Sequence, residues 1–342
     1  MINITPFSNQ ADRPIFVVGA PRSGTTLTGT ILGRHATIFA PGESHFFEDI
    51  WTRQQQYGKL RSNAEISAAV ERVTTLFGRY NFPETQALVD KRVAAPALVD
   101  AVQLQGGGYA ALFKNFMATL AAHPQKMRIC DDTPKHLFHV DAILQLFPQA
   151  KIIACVRDPR DFLSSYKYYW RKSTESERIK ALYHPILTSL LWRTSAKLLL
   201  TYTNRYEPGQ FCWIRYEDLV QSPQQTIRRL CAFVEIDYAD DLFAIESNNS
   251  SFGSTEVGIF SSSVGRWRSE LHPEEIWWAQ RLAGPQMQAL GYKQQAAAPS
   301  PLRVVAQGAA LPWPCSVRCT PTKKRGPLGP YLWRRTLAMV GG

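Results

Sequence analysis

The stretch Gly19-Ala-Pro-Arg-Ser-Gly-Thr-Thr-Leu27, GAPRSGTTL, follows the apolar run IFVV at residues 15–18. A continuous, β-branched run closed by a Gly-rich turn reads as a short buried strand. The helix that follows is expected to start at Thr25 or Thr26 and to run to about Arg34. Glycines let the backbone curl so that successive N–H groups point inward, and a helix N-terminus adds partial positive charge. Such a nest binds a tetrahedral anion. Ser23, Thr25 and Thr26 add hydroxyl donors, and Arg22 adds a fixed charge. The plainer reading is a tight strand–helix turn with chance polar residues.

Gly19 and Gly24 keep the glycine spacing of a nucleotide triphosphatase loop, but Thr25 stands at the lysine position. Magnesium-dependent triphosphate chemistry ordinarily uses that lysine on the β- and γ-phosphates. Its absence weakens a kinase or triphosphatase reading.

Three more apolar stretches read as strands: MRICDD, KIIACV at 151–156, and FCWI at 211–214. Helical spacing is expected around 64–77, 108–122, 135–147 and 185–205. Pro159, Pro223 and Pro273 each suit the opening of a further helix, the last two running to about Phe233 and near Gly291. Residues 44–122 read mainly as helices and loops, broken at Gly106-Gly107-Gly108. Short strands alternating with helices predict an α/β fold with a parallel sheet, whose ligands sit at the carboxyl ends of the strands.

The net charge of +11 is unevenly spread. Residues 293–342 hold eight basic residues and no acid; the other 31 basic residues face 28 acidic ones, so the body is only mildly basic. No nucleic-acid partner is expected. The Pro-rich tail from 293 is expected to be poorly ordered, although Trp313, Trp333, Arg334 and Arg335 would suit contact with an anionic surface. No run is long and apolar enough for a membrane span, and the N-terminus lacks the pattern of a signal peptide. Six cysteines without a CxxC pair suit a reducing compartment, so a cytoplasmic setting is expected. His136 and His139 have no third ligand at metal spacing and are expected to be structural.

At PRSGTT the chain resembles the sulfotransferases that use 3′-phosphoadenylyl sulfate (PAPS). Cytosolic members carry PKSGTT; tyrosylprotein sulfotransferases and many bacterial relatives carry PRSGTT. The resemblance covers roughly residues 13–292, taken as one domain. It implies a P-loop-like parallel β-sheet flanked by helices, PAPS as donor, and no metal. It assigns the 5′-phosphosulfate to Arg22, Ser23, Gly24, Thr25 and Thr26. In the family, an Arg at a strand end and a Ser eight residues later hold the donor's 3′-phosphate; Arg157 and Ser165 have that spacing. Otherwise Arg157 would be expected to pair with Asp158 or Asp161.

The segment GESHFF resembles the tyrosylprotein group and implies Glu43 as general base, with His45 as the weaker alternative. RYEDL implies Tyr216 near the adenine, and Gly265-Arg266-Trp267 implies a loop over the nucleotide in which Arg266 adds charge. CDDTPK departs from the pattern: Asp132 stands where the family has a lysine, and Lys135 lies three residues on. The expected reaction is in-line sulfuryl transfer to a hydroxyl or amine of a carbohydrate, peptide or small molecule. The alternatives are a P-loop kinase or triphosphatase, and a non-catalytic nucleotide- or glycan-binding relative.

Overall fold

A computed structural model describes residues 13–80, 83–121, 128–168, 180, 183–243, 245 and 258–310. The chain divides into two compact units. The first comprises Met1–Cys155, Tyr206–Trp213 and Ile227–Ile245; the second comprises Val156–Arg205, Ile214–Thr226 and Glu246–Gly342.

A five-stranded sheet is built from β1 (Ile15–Gly19), β2 (Ile38–Gly42), β3 (Arg128–Asp131), β4 (Lys151–Val156) and β5 (Phe211–Arg215), in the order β2-β3-β1-β4-β5. Pairing is parallel from β2 through β3 and β1 to β4. Every residue of β1 and β4 is buried, which explains their unbroken apolar runs. The fold is therefore α/β, with a P-loop-like parallel sheet flanked by helices. A strand that the sequence does not announce is β2, Ile-Phe-Ala-Pro-Gly. It lies at the sheet edge, is only half-buried beyond Ile38, and shifts register against β3 between Phe39 and Gly42. Pro41 can stand in this strand because an edge leaves one row of N–H groups unneeded.

Helix α1 (Thr25–Gly33) follows β1 as expected. After β2 comes the short helix α2 (Phe46–Asp49). Four helices, Asn63–Tyr80, Pro83–Arg92, Ala95–Leu104 and Tyr109–Ala121, fill the region before β3. Phe46 and Phe47 are fully buried, and the core ring Phe16 lies 5.8 Å from Phe47 and 5.6 Å from Phe113. Those two phenylalanines pin the residues before them to the carboxyl edge of the sheet. The expected helix over 135–147 is two elements: a 3₁₀ helix, Pro134–His139, then an α-helix, Val140–Leu146. The 3₁₀ form follows from Thr133, whose N–H and hydroxyl both bond to Asp131 and fix the entry to the turn.

The second unit contains α3 (Pro159–Lys167), α4 (Pro185–Arg205), α5 (Pro273–Ala289) and α6 (Pro301–Ala309). Within the stretch from 293 expected to be a poorly ordered tail, residues Pro301–Ala309 form helix α6. Pro301 at its first turn sets the dihedral angle and needs no N–H partner there, and nine residues were too few to stand out as a periodic pattern. Residues 311–342, with Trp313, Cys315, Cys319 and Trp333, lie outside the described residues. Cys130, Cys155, Cys212 and Cys231 are free thiols.

Gly19 is required by a close approach. A Cβ there would lie 2.3 Å from the carbonyl oxygen of Cys155, backbone that cannot turn aside. Gly19→Ala is therefore expected to lower unfolding free energy by about 2–3 kcal/mol, measured by urea denaturation. An unchanged midpoint would show that β1 and β4 can separate locally without cost.

Candidate active site

The turn after β1 has the backbone of an anion nest. Arg22 (φ 72°) and Gly24 (φ 95°) both adopt the left-handed conformation. Gly24 caps α1 without a side-chain hydrogen bond, and the first turn of α1 holds no acid. The leading N–H groups therefore lack the usual side-chain cap. Ser23 is fully buried, yet its Oγ has no hydrogen-bond partner among the described residues. A buried hydroxyl without a partner is costly unless something completes it. A tetrahedral oxyanion meets both needs, so the loop fits the sulfate end of a nucleotide donor. Thr25 is buried and Thr26 half-buried at the start of the helix.

Glu43 stands at the end of β2, about a third exposed. His45 Nε2 lies 3.2 Å from its Oε2, while His45 Nδ1 bonds to Glu48. Lys135 Nζ in turn lies 3.0 Å from Glu48 Oε2. The four side chains form an alternating array of carboxylate, imidazole, carboxylate and ammonium. Burial alone would lower the imidazole pKa. The hydrogen bonds and charges of Glu43 and Glu48 outweigh it and raise His45 to about 9. Glu48 also resists the effect of burial: Lys135 and His45 hold it well below the usual carboxylate range. At neutral pH His45 is thus an imidazolium, with no lone pair to take a proton.

The segment is held from below by Asp131, fully buried. It accepts hydrogen bonds from Ser44 Oγ and from Thr133 N (2.9 Å) and Oγ1 (2.6 Å). Thr133 Oγ1 in turn accepts from His45 N at 3.2 Å. His136 accepts from Phe47 N through Nε2, which fixes a neutral ring with its proton on Nδ1, 3.6 Å from Asp131. Burial lowers the His136 pKa in agreement. The structural role expected for His136 fits these contacts.

Asp132 lies under α1, where a Cβ on Gly29 would come within 2.7 Å of the Asp132 Cβ. It is 3% exposed, and its Oδ1 has no partner among the described residues. Burial first, then the charges of Glu43 and Asp131, push its pKa well above the ordinary carboxylate value.

The second unit carries its own polar constellation. Arg157, the residue directly after β4, is 6% exposed. Its Nη2 donates to the carbonyl of Ser263 at 2.8 Å, and its guanidinium lies 4.4 Å from the ring centroid of Tyr216. Tyr216 Oη bonds to Ser263 Oγ at 2.7 Å. The nearby aspartates are engaged elsewhere. Asp158 forms a two-pronged pair with Arg160, at 2.9 and 2.6 Å. Asp161 accepts the backbone N–H groups of Gly265 (2.7 Å) and Trp267 (3.0 Å). Arg266 turns to Glu270, 3.9 Å away.

Ser165 is buried on α3, as is its neighbour Ser164, whose Oγ has no partner among the described residues. What sequence reasoning missed is the role of Asp161 in holding the backbone of Gly265 and Trp267, a contact with a loop that returns about 100 residues later. The helices in 44–122 and the loop at 248–263 are expected to shape an acceptor pocket; of that loop, residues 248–257 lie outside the described residues. Among the described residues, no group of three or more His, Cys, Asp or Glu is placed to hold a metal ion.

Comparison with known proteins gives a consistent picture. The Sulfotransferase family matches residues 14–240. An uncharacterized protein of Aquifex aeolicus is 27% identical over 269 residues, covering 75% of this chain and 30% of that protein. The nodulation protein NoeE of Sinorhizobium fredii is 26% identical over 300 residues, covering 82% of this chain and 66% of NoeE. This chain thus spans less than two thirds of either relative's length. Protein-tyrosine sulfotransferase 1 of Danio rerio is 24% identical over 311 residues, covering 86% of this chain and 77% of that enzyme. The sulfotransferase domain of the Synechococcus PCC 7002 olefin synthase shares the fold, with a TM-score of 0.56 and 21% identity over 83% of this chain and 96% of that domain.

The His45 array makes stability depend on pH. His45 rises from its ordinary 6.5 to about 9 on folding, so its contribution is complete below pH 6.5 and is lost as pH climbs through about 9. Thermal midpoints are expected to fall across that window in the wild type and to change less in His45→Gln. Equal slopes in the two proteins would show that the ring is neutral at pH 7.

Proposed function

The chain belongs to the Sulfotransferase family, and from that we propose that it transfers a sulfuryl group from PAPS to an acceptor hydroxyl or amine, with Glu43 as general base. The observation that supports this most is the loop after β1. It offers uncapped N–H groups, a buried hydroxyl without a partner and a cation on Arg22, but no lysine for a triphosphate.

The donor supplies the sulfuryl group and the bisphosphate that leaves. The chain's residues do the rest. Glu43 accepts the acceptor's proton as the new oxygen–sulfur bond forms and the bridging sulfur–oxygen bond breaks. Arg22, the amides from Gly24 to Thr26 and the Ser23 hydroxyl meet the charge on the sulfuryl and on the departing oxygen. A sulfuryl carries one charge fewer than a γ-phosphoryl, so amides and a single cation suffice. Burial raises the pKa of Asp132 and so works against a negative charge that would offset that cation.

Arg157 and Ser165 are assigned to the donor's 3′-phosphate, with Ser164 as a further donor. Two features support Arg157: its guanidinium is held in a buried setting, and it stands directly after β4, where it donates to the Ser263 carbonyl and lies over the Tyr216 ring. Tyr216 is assigned beside the adenine and Arg266 beside the phosphates.

A thermal-shift comparison of adenosine 3′,5′-bisphosphate with ATP-Mg, followed by a labelled-PAPS assay across carbohydrate, peptide and small-molecule acceptors, tests the reading. Stabilisation by ATP-Mg alone would point to triphosphate chemistry, and bisphosphate binding without turnover to a non-catalytic relative.

Arg157→Ala is expected to weaken bisphosphate binding by about 1.5–3 kcal/mol in calorimetry, and to leave ADP, which lacks the 3′-phosphate, unaffected. Equal losses for both nucleotides would reassign Arg157 to holding the Ser263 loop. Glu43→Gln is expected to lower turnover by about 10²–10⁴ with bisphosphate affinity near wild type; full turnover would remove Glu43 as base.

A further inference from the structure

In the second unit, the segment from Ser263 to Glu270 is fastened by its backbone to α3 and to the residue that follows β4. Arg157 holds its start, at the Ser263 carbonyl. Lys167, the last residue of α3, donates to the Glu270 carbonyl at 3.0 Å. Asp161 stands between them. Its Oδ2 accepts from Gly265 N at 2.7 Å and its Oδ1 from Trp267 N at 3.0 Å. Those amides lie on either side of Arg266. The Trp267 ring adds a further contact: the guanidinium of Arg160 lies 4.2 Å and that of Arg268 4.6 Å from its centroid. Arg160 is itself fixed by Asp158 and by Gln280 Oε1 at 3.2 Å.

A carboxylate is an unexpected group at this place. Asp161 is 2% exposed. It precedes Ser165 by four residues on α3, so the two share a helix face. Arg157 and Ser165 are the residues assigned to the donor's 3′-phosphate, and a negative charge beside them repels a phosphate. Burial raises the Asp161 pKa, while the Arg157 charge and the two N–H groups work the other way. Both carboxylate oxygens are engaged by backbone, and charge-assisted bonds of this kind are strong and directional. The contacts of Arg157 and Tyr216 engage Ser263, at the start of the loop. Those of Asp161 set the course of the chain through Arg266. The acid's presence next to an anion site is accounted for by the placement of that loop.

We propose that Asp161 is a positioning residue for the nucleotide donor. By holding the amides of Gly265 and Trp267 it fixes the loop that carries Ser263 and Arg266 beside Arg157 and Ser165, and so sets the preference for a nucleotide with a 3′-phosphate. The inference rests on the assignment of Arg157 and Ser165 to that phosphate.

The test is calorimetry of the full chain with adenosine 3′,5′-bisphosphate and with ADP, which lacks the 3′-phosphate. Position and charge predict opposite signs. Asp161→Asn removes the negative charge and leaves one oxygen to accept; Asp161→Ala leaves none. Bisphosphate affinity is expected to fall at least about tenfold in Asp161→Ala and by a smaller factor in Asp161→Asn, with ADP affinity unchanged in both. Asp161→Asn, the same in shape as the wild type, carries the test alone if Asp161→Ala does not fold. Tighter bisphosphate binding by Asp161→Asn would show a local repulsive charge and overturn the proposal. Equal losses for bisphosphate and ADP, the mark of a general loss of packing around α3, would overturn it as well. A wild type that discriminates between the nucleotides, with variants that discriminate equally, removes Asp161 and leaves the 3′-phosphate assignment standing. A wild type that binds both nucleotides alike overturns that assignment, and the inference with it.

Discussion

Asp131 is the constraint on which the catalytic end of the first unit rests. A buried carboxylate is tolerable only when donors surround it. Here they come from both sides: Ser44 after β2, and the amide and hydroxyl of Thr133 after β3. Thr133 passes the connection on to the amide of His45. One carboxylate thus ties together two strand ends that are 87 residues apart in sequence. Glu43, Ser44 and His45 inherit their positions from it, with Phe46 and Phe47 anchoring the same segment in the core.

Charge in this region is arranged by alternation. The imidazolium of His45 lies between Glu43 and Glu48, and Lys135 closes the far end. The arrangement gives the proposed base a fixed partner rather than a free rotor. Lys135 helps hold the Glu48 carboxyl below its ordinary range, and Glu48 in turn helps raise the pKa of His45.

The sheet and its loops were legible where burial is uniform. IFVV and KIIACV read as strands because both faces are covered, and α4 ran over 185–205 as expected. The edge strand β2 was not legible. Its proline and mixed exposure look like a loop unless the edge position is known. The 3₁₀ turn at Pro134–His139 was hidden for another reason: its apolar spacing is helical, and only the Asp131–Thr133 bonds decide the tighter winding. In the second unit, PRSGTT had no analogue for detecting Asp161. An acid two turns from nothing in particular becomes informative only when Gly265 and Trp267 return to its oxygens.

Least legible of all were protonation states, and they bear most on the departure at Asp132. Read as a letter, an aspartate in place of lysine reverses a charge beside the anion loop. In the folded chain the same residue lies under α1, against Gly29 and near Glu43 and Asp131, where ionisation is strongly disfavoured. The substitution removes a cation, while burial works against the anion that the letter suggests. Catalysis by the proposed route then asks less of Arg22 than the sequence alone suggests. It must stand in for one absent positive charge, with the N–H groups of an uncapped helix and the buried Ser23 hydroxyl beside it.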